Sequence, residues 1–558
     1  MIQLLMQIYC TINANGGNIF LINPAGVQIG NSAQINVGSL YVSNKKLNDG
    51  VLTQLGSQNS TSDIISELQK YTDFGNGELM SLGNINANKV TFEGDRIVID
   101  TERLKNTDGQ TKLKADEIIV KTNNINNIVL GYDAYDADNK TYKGQNSDEY
   151  IAKVNDSIFT KKDGYMWVED VEQLQAMNTN LGGNYALRNS IDATSTAEKD
   201  AYFISIGNQS AFTGKLDGLG NNIFSLTVNS TGDSGLFAAT NGASISNVNL
   251  IGGSITGTGN GNVGALVGKA TNTTINNITN TANVTGKGDT SITGGIVGAA
   301  QNTTLNSVIN TGTVNGVNNV GGLAGKLQDT DTRDNVYAKI TGTSYNLGAV
   351  TGSGYNVGGL VGSAENATIG DSTNLVYNRL DVTGAYNVGG IVGIMSNSTV
   401  RNAENSGNVA ATRYETGTYT FHTDYTNNGY SNGGTKSVNL NIANVGGITG
   451  SSTNSQIFEV TNSGDVSSNK ETDNDYYDAG NVGGIVGSAI NTNITNAENK
   501  ENSVNGAHNV GGIAGYFANN DNDNENYAIT NAINNGGDIM ATGARYNNYW
   551  VTETIIRI

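Results

Sequence analysis

The 558-residue chain contains a single cysteine, Cys10, and a single proline, Pro24. One cysteine excludes a disulfide framework within the chain. One proline beside 73 glycines excludes collagen and proline-rich linkers. Charged residues make up only 15 % of the chain, and 31 Lys and Arg stand against 50 Asp and Glu, which gives a net charge of −19. This acidic balance predicts no binding to nucleic acid or to anionic lipid.

Long apolar runs are also missing. No run approaches the roughly 18–20 residues of a membrane span, so we predict none. The first ten residues, MIQLLMQIYC, are apolar but carry no basic residue, and they do not form a signal peptide. We therefore expect the natural protein to begin upstream of residue 1. A cytoplasmic start is the alternative.

What the chain has instead is one glycine-rich phrase, written many times. It occurs as NVGALVG (262–268), ITGGIVG (292–298), NVGGLAG (319–325), NVGGLVG (356–362), NVGGIVG (387–393), NVGGITG (444–450), NVGGIVG (481–487) and NVGGIAG (509–515), with a divergent copy, SGLFAAT, at 234–240. The copies are 27 to 57 residues apart, and the long steps contain polar insertions such as residues 412–434. Self-similarity with this period indicates a repeat architecture.

A second phrase follows the first, as in TTINNITNTANVTG (273–286) and TTLNSVINTGTVNG (303–316). Val, Ile and Thr dominate runs of about five residues in each repeat, and Gly and Asn lie between these runs. Each repeat is therefore predicted to contain three short extended segments, with Gly and Asn in the turns. So short a unit buries its apolar side chains only by stacking on its neighbours. We predict an all-β, right-handed parallel β-helix with one repeat per coil. Short helical inserts are predicted at 62–71, where Ser60 and Asp63 have capping-box spacing, and at 169–177.

Two residue types in the repeat are expected to have structural roles. The glycines should let backbones of stacked coils approach closely or turn a corner. They are Gly264, Gly268, Gly294, Gly295, Gly321, Gly322, Gly358, Gly359, Gly389, Gly390, Gly446, Gly447, Gly483, Gly484, Gly511 and Gly512. Asparagines recur at two positions, either as hydrogen-bonded ladders along the axis or as residues that tolerate the turn conformation. The first position holds Asn277, Asn402, Asn496 and Asn531, and the second Asn280, Asn310, Asn405, Asn462 and Asn499.

Near the N-terminus, NGGNIFLINPAGVQIGNSAQINVGSL (15–40) places two apolar strands around a tight turn. This stretch resembles the secretion domain of filamentous-haemagglutinin-like exoproteins, the secreted partners in two-partner (type Vb) secretion. Asn23, Pro24, Gly26 and Val27 fall on the family's N-P-N-G-V motif, whereas Ala25 replaces its second Asn. The repeats resemble GLUG repeats of bacterial surface proteins. Together the resemblances cover most of the chain.

The resemblance implies a domain order and a function. The expected regions are a partial secretion domain (1–44), an insert with a short helix (45–82), further coils (83–160), a lead-in (161–230), the GLUG-repeat solenoid (231–545) and a tail (546–558). It implies a secreted or surface-exposed adhesin of a Gram-negative bacterium, exported through an outer-membrane partner pore, that binds an unknown host glycan or protein. The alternative without binding is a structural surface spacer.

Motifs for catalysis are scarce. The chain has two histidines, His422 and His508, and it contains no H-E-x-x-H, G-x-S-x-G or P-loop motif. We therefore predict no enzyme and no catalytic, cofactor or metal residues. Two alternatives stay open: a polysaccharide-degrading β-helix using Asp217 or Asp381, which we expect to be turn residues, and calcium held by acidic clusters. Those clusters, expected to be solvated loops, lie at 329–334, 473–478 and 519–527.

Overall fold

The computed structural model describes most of the chain and divides it into two compact units, residues 1–188 and 189–558. The described residues are 5–48, 50–51, 55, 64, 67–68, 70–71, 73–87, 89–94, 96–100, 117–121, 128–144, 150–155, 157–198, 202–330, 338–412, 418–420, 437–439, 443–468, 480–506, 509–519, 527–535 and 537–541. Among the helices within these ranges, none is long and apolar enough to cross a membrane.

The first unit contains two columns of parallel strands. One column is Met6–Ile8, Val27–Ile29, Leu79–Ser81, Ile97–Asp100, Ile128–Tyr132, Tyr165–Val168 and Asn184–Leu187. The other is Thr11–Ile22, Gln34–Ser43, Lys89–Glu93, Glu117–Lys121 and Tyr150–Val154, with Asn84–Asn86 beside the second strand. Two antiparallel hairpins join Tyr150–Val154 to Ser157–Thr160 and Tyr135–Asp136 to Thr141–Tyr142.

Helices in this unit are short. The predicted helix at 169–177 is confirmed as Val171–Ala176, and it begins where the Asp170 carboxylate accepts a hydrogen bond of 2.8 Å from the Gln173 N–H. Single 3₁₀ turns lie at Lys161–Asp163 and Met177–Thr179. Of the predicted helix at 62–71, the structure describes Ile64, Glu67 and Leu68 as helical, and the two predicted cap residues lie outside the described residues.

The predicted tight turn at residues 23–26 is present. The Gly26 N–H donates to the Asn23 carbonyl at 2.8 Å, and the Asn23 side chain donates back to the Gly26 carbonyl at 2.9 Å. Gly26 has φ +99°, and a Cβ there would lie 2.6 Å from the Glu78 carbonyl oxygen. The sequence N-P-x-G is therefore explained by local turn geometry and by a close approach to the next strand.

The second unit is a parallel β-helix, as the repeats predict. Sheet 1 consists of Thr227–Ser230, Ser254–Gly257, Asn283–Gly286, Val314–Gly316, Val350–Gly352, Val382–Gly384, Val409–Ala411, Val466–Ser468, Val504–Gly506 and Ile539–Ala541. Sheet 2 consists of Val263–Gly264, Ile292–Gly294, Asn318–Gly321, Tyr355–Gly358, Tyr386–Gly389, Asn444–Gly446, Asn481–Gly483 and Val510–Gly511.

Sheet 3 takes two successive runs from each coil. Its first runs are Phe237–Asn241, Val267–Thr271, Val297–Gln301, Ala324–Gln328, Val361–Glu365, Val392–Ser396 and Ala514–Ala518. Its second runs are Ser244–Ile251, Thr274–Asn280, Thr304–Asn310, Ala338–Thr341 with Tyr345–Asn346, Ala367–Ile369 with Val376–Asn378, Thr399–Asn405, and Ile529–Thr530 with Ile533–Asn535. The two runs merge in Thr449–Asn462 and Val486–Lys500.

Smaller elements complete this unit. Ile191–Asp192, Lys215–Asp217 and Asn222–Phe224 precede the repeats, with a 3₁₀ turn at Thr194–Ala197. Within the long polar insertion, Thr418–Thr420 pairs antiparallel with Ser437–Asn439.

Register confirms one repeat per coil. The first glycine of each phrase pairs with that of the next, from Gly264 with Gly294 through to Gly483 with Gly511, even across the 57-residue step. The divergent copy also stacks on the first full copy, because Ser234 pairs with Val263 and Phe237 with Val267. The prediction that the phrase forms one extended segment is wrong: it is a corner, with a strand of sheet 2 before the glycines and a strand of sheet 3 after them.

The glycines make this corner possible. A Cβ on Gly294 would lie 2.0 Å from the Val297 carbonyl oxygen of its own bend, and one on Gly295 would lie 2.6 Å from the Asn310 side-chain carbon. The same two contacts recur at Gly389 and Gly390, with Val392 O at 1.9 Å and the Asn405 side-chain carbon at 2.3 Å. In these coils a side chain at either position would displace neighbouring backbone or the ladder asparagine, as predicted from close backbone approach, although Ala265 occupies the second position in the first full copy.

The core is a stack of identical apolar positions. Fully buried valines from sheets 1 and 2 form one continuous cluster. They are Val314, Val320, Val350, Val357, Val382, Val388, Val409, Val445, Val466, Val482 and Val504. Burying each valine contributes about 1.5–2 kcal/mol, so each coil becomes stable by adding two such side chains to the stack.

Both expectations for asparagine are met, at different positions. Asn280, Asn310, Asn346, Asn378, Asn405, Asn462 and Asn499 form a buried ladder, in which each side-chain N–H donates to the next side-chain oxygen at 2.8–3.0 Å. The other predicted set has left-handed φ, 52° at Asn277 and 46° at Asn402, at a bend within the strand, and Asn277 and Asn531 also donate to Asn247 and Asn496 of the preceding coil. A ladder in the phrase itself was missed: Asn356, Asn387, Asn444, Asn481 and Asn509 each donate to the preceding member at 2.8–2.9 Å.

Candidate functional site

The aspartates considered for glycan cleavage do not form a site. The Asp217 carboxylate is buried and accepts hydrogen bonds from the Leu219 N–H and the Asn247 side chain, each at 2.9 Å. The exposed Asp381 carboxylate accepts from the Asn408 N–H at 3.0 Å. Both therefore occupy turns between stacked coils.

Other candidate residues are dispersed or fall outside the described ranges. Cys10 is an exposed free thiol. His422 and His508 lie outside the described residues, as do the cluster at 473–478 and most of those at 329–334 and 519–527. Within the part of the chain that the structure describes, no three His, Cys, Asp or Glu side chains are grouped so that they could hold a metal ion.

An ionic cluster covers the short helix of the first unit. The Tyr135 hydroxyl donates to the Glu172 carboxylate at 2.6 Å, and Lys140 lies 3.1 Å from the same carboxylate. Burial, followed by the hydrogen bond to Glu172, raises the pKa of Tyr135 to about 12. The bonds from Tyr135 and Lys140 lower the pKa of Glu172. These shifts describe a hydrogen-bonded surface that ties the hairpin at 135–142 to the helix.

Beneath this cluster lies an aromatic core. Tyr142 packs edge-on against Tyr185 with ring centroids 4.9 Å apart, and its hydroxyl donates to the Trp167 carbonyl at 2.9 Å. The guanidinium of buried Arg188 contacts the carboxylates of Asp133, at 3.4 Å, and Glu169. These side chains hold the strands and the helix together, and we assign them a structural role.

The second unit carries an unusual outward surface, which we call the tyrosine–arginine patch. It consists of Ile309, Tyr345, Leu347, Tyr377, Arg379, Leu380, Arg401 and Phe458. The Tyr345 and Tyr377 rings stack with centroids 4.5 Å apart and planes 6° apart. The register places Ile309 before them and Glu404 after them on the same row. In the other coils that row holds Asn249, Thr279, Thr461, Glu498 and Ile533.

Two arginines of the patch lie on aromatic rings and differ in their partners. The guanidinium of Arg379 lies 4.7 Å from the Tyr377 centroid and 2.8 Å from the Glu404 carboxylate. That of Arg401 lies 4.7 Å from the Phe458 centroid, and its buried Nε has no hydrogen-bond partner among the described residues. Arg401 is therefore a cation held in place by stacking, with no anionic partner in that part of the chain.

A loop borders the patch where one coil departs from the repeat. Residues 370–375 separate two short strands, and Gly370, with φ +92°, occupies the register position beside Arg401. Burial alone would raise the pKa of Asp371, but N–H groups of Thr373, Asn374 and Gly342 donate to its carboxylate and hold the pKa well below its usual range. The loop is therefore rigidly tied to the coil before it.

Sequence reasoning missed the patch because its residues are far apart in the chain. A signal was available: aligned on the ladder asparagines, Leu347 and Arg379 stand where neighbouring coils have Thr311 and Ser406. Two consecutive coils thus carry larger side chains at positions that elsewhere are small and polar.

Comparisons with known proteins place part of the chain near a peptidase family. The model of the M26 IgA1-specific metallo-endopeptidase N-terminal region matches residues 116–284, under a third of the chain. A crystal structure of a candidate immunoglobulin A1 protease from Bacteroides ovatus is similar at 18 % identity and a TM-score of 0.33, over 44 % of this chain and 75 % of that one. Because this structural likeness is distant, the family match is the finding that bears on function. A search of curated proteins gives no match.

The family match corrects the predicted identity and function. The interpretation as a haemagglutinin-like, two-partner-secreted adhesin is wrong, because residues 116–284 match the model of a metallo-endopeptidase N-terminal region. The polysaccharide-degrading and spacer alternatives are set aside with it, and the prediction of no enzyme is likewise contradicted by the match to a peptidase family. The physical reason is that the repeat phrase encodes a coil corner, and a corner specifies a fold but not a function.

Other predictions remain as they were. The predicted domain boundaries, the role of residues 23–27 in secretion, the partners, the absence of a cofactor and the extracellular location are not tested by these findings.

Proposed function

We propose that this chain is the substrate-holding β-helical part of a metallo-endopeptidase that acts on a protein of the immunoglobulin A1 type. The observation that carries the proposal is the match of residues 116–284 to the N-terminal region of the M26 IgA1-specific family. The matched segment spans the aromatic core around Trp167 and the first coils of the second unit.

Recognition is the step that these residues support. Hydrolysis by a metallopeptidase needs a metal held by several side chains, typically two histidines of an H-E-x-x-H helix and a third ligand. The sequence contains no such motif, and the described residues group no metal ligands. A β-helix instead offers a long, stiff surface built from stacked coils, on which an extended substrate makes many contacts.

Purified IgA1 provides a direct test. The full 558-residue chain is immobilised, and IgA1 binding is followed by biolayer interferometry, with IgG as the control immunoglobulin. The same mixtures, with and without zinc and with a chelator, are examined for fragments by gel electrophoresis. We expect saturable binding of IgA1 and weaker binding of IgG.

The outcomes separate the parts of the proposal. Binding without fragments supports a substrate-holding role. Chelator-sensitive fragments would contradict the assignment of recognition alone, because the hydrolytic centre would then lie within these 558 residues. Absence of IgA1 binding at concentrations of about 100 μM, a range that covers weak protein interfaces, would overturn the proposal.

A further inference from the structure

We infer that the tyrosine–arginine patch binds an extended, acidic peptide segment of the substrate protein, with one of its carboxylates on Arg401. This inference rests on the proposed function for the identity of the substrate. Its physical basis is the geometry of the patch itself, which consists of outward side chains on sheet 3 and on the corner that follows it.

The first step is the composition of the patch. Its side chains point away from the valine core and add nothing to it. Leu347 and Leu380 are 37 % and 45 % exposed, although nearby positions on the same surface hold threonine and serine. Exposed aromatic, aliphatic and arginine side chains in one place are the composition of interaction hot spots.

The second step is charge. In and beside the patch, Lys339, Arg379 and Arg401 stand against Asp371, Asp381, Glu404 and Glu459, so the surface as a whole is not positively charged. Asp371 and Asp381 accept hydrogen bonds from backbone N–H groups, and Glu404 pairs with Arg379. Arg401 has no anionic partner among the described residues, and this unpaired cation is complementary to one carboxylate of a partner.

The third step is the availability of Arg401. Phe458 fixes the guanidinium plane, so little side-chain entropy is lost when an anion binds. A carboxylate paired with the terminal nitrogens gives the planar, two-bonded geometry that arginine favours.

The fourth step is size. From Ile309 to Phe458 the patch crosses five successive coils, or about 19 Å at the usual strand spacing of about 4.8 Å. A chain extended at about 3.3 Å per residue covers this distance with about six residues. One such segment can place aliphatic side chains over Tyr345 and Leu347 while an Asp or Glu reaches Arg401.

The experiment has two arms. In the first, a phage library of linear 12-residue peptides is selected on the wild-type full chain, and the enriched peptides are synthesised and measured on wild type, Arg401→Gln and Leu347→Glu. In the second, IgA1 is measured on the same proteins. Lys269→Gln is the matched control, because Lys269 is an exposed cation on sheet 3 several coils away. Circular dichroism verifies the fold of each variant.

We expect peptides rich in Asp or Glu that lose about 10-fold or more in affinity with Arg401→Gln and with Leu347→Glu but keep it with Lys269→Gln, as for loss of a charge-assisted bond. IgA1 should show the same pattern. Enriched peptides without carboxylates, or equal affinity for all variants, would overturn the inference.

The IgA1 arm distinguishes this failure from failure of the proposed function. If IgA1 binds wild type and both patch variants equally, the substrate docks elsewhere and the inference is wrong while the proposed function stands. If IgA1 does not bind at all, the proposed function fails, and the peptide arm alone decides whether the patch recognises acidic segments. Loss of IgA1 binding after enzymatic removal of its glycans would identify a glycan as the ligand and would contradict the inference that the patch binds a peptide segment.

Discussion

Replacing Asn405 tests whether the buried asparagine ladder stabilises the β-helix. Its side-chain N–H donates to the Asn462 side-chain oxygen and to the Gly407 carbonyl, each at 2.8 Å, and its oxygen accepts from Asn378 at 2.9 Å. At about 1 kcal/mol per hydrogen bond, Asn405→Ala should cost about 3 kcal/mol, and up to about 5 kcal/mol because buried partner groups lose their bonds.

Asn402→Ala is the matched control on the same strand. Asn402 has φ +46°, and its side chain is not part of the buried ladder. Alanine in the left-handed region costs about 1–2 kcal/mol, so the two variants should differ by at least about 1 kcal/mol. Urea unfolding followed by circular dichroism measures the free energies of unfolding. Since repeat proteins can unfold in parts, hydrogen exchange of residues 376–468 localises the change.

Replacing Asn405 with aspartate tests the predicted direction in which stability changes with pH. In Asn405→Asp the carboxylate would face two oxygen acceptors, from Asn462 and Gly407, without solvent, so its folded-state pKa would rise above its ordinary value. An acid whose folded pKa is raised destabilises most at high pH, and this penalty shrinks as the pH falls toward the unfolded pKa of about 3.9. The stability difference from wild type should therefore narrow between pH 7 and pH 5.

Two results would refute this reasoning. One is an Asn405→Ala variant no less stable than Asn402→Ala, which would mean that backbone pairing alone fixes the corner. The other is a pH-independent penalty for Asn405→Asp, which would mean that the ladder position is reached by water.

Further predictions concern the corner and the first unit. Gly390→Ala should destabilise the central coils, since its Cβ would lie 2.1 Å from the Gly447 carbonyl oxygen, and hydrogen exchange of these coils should become faster. Lys45→Met should cost about 3–5 kcal/mol in urea unfolding, because it leaves the Glu93 carboxylate, now 2.8 Å from the buried ammonium, without its cation. The pKa of Tyr135 is raised to about 12, so the stabilisation from its bond to Glu172 is complete below pH 10 and is lost as the pH rises through about 12. In Tyr135→Phe, stability measured against pH should no longer show this loss between pH 10 and pH 12.

The sequence predicted the fold because every coil repeats one set of physical requirements. Valines at fixed positions, glycines at the bend and an asparagine at the next corner recur often enough to identify a parallel β-helix with one repeat per coil. The bend inside the phrase was expected only as one of two roles for its glycines, because five apolar or glycine residues in a row fit a strand as well as a corner. Contacts such as the one between Gly295 and Asn310 of the same coil distinguish the two.

The function could not be predicted from the repeated motifs, because these motifs specify backbone geometry and not activity. The N-P-x-G turn at Asn23 and the repeated phrase are solutions to backbone geometry, so proteins with different activities share them. The absence of H-E-x-x-H excluded this metal-binding motif from the sequence, but it did not exclude a part of a peptidase that carries no metal ligands. The indication of function came from the match of residues 116–284 to a peptidase family model and not from the backbone geometry.

The departures from the repeat are more informative than the repeat. Most coils cross the second run of sheet 3 with one left-handed residue, such as Asn277 or Asn402, but two coils use the loops at 342–344 and 370–375 instead. The same two coils carry Tyr345 and Tyr377 on a row where other coils hold residues such as Asn249, Thr279 and Glu498. Loops and outward aromatic side chains leave the valine core unchanged, so folding does not explain them. Where a repeat protein breaks its own rule without a gain in its core, the surface at that point is the place to look for a partner, and the acidic-peptide experiment on Arg401 examines that surface directly.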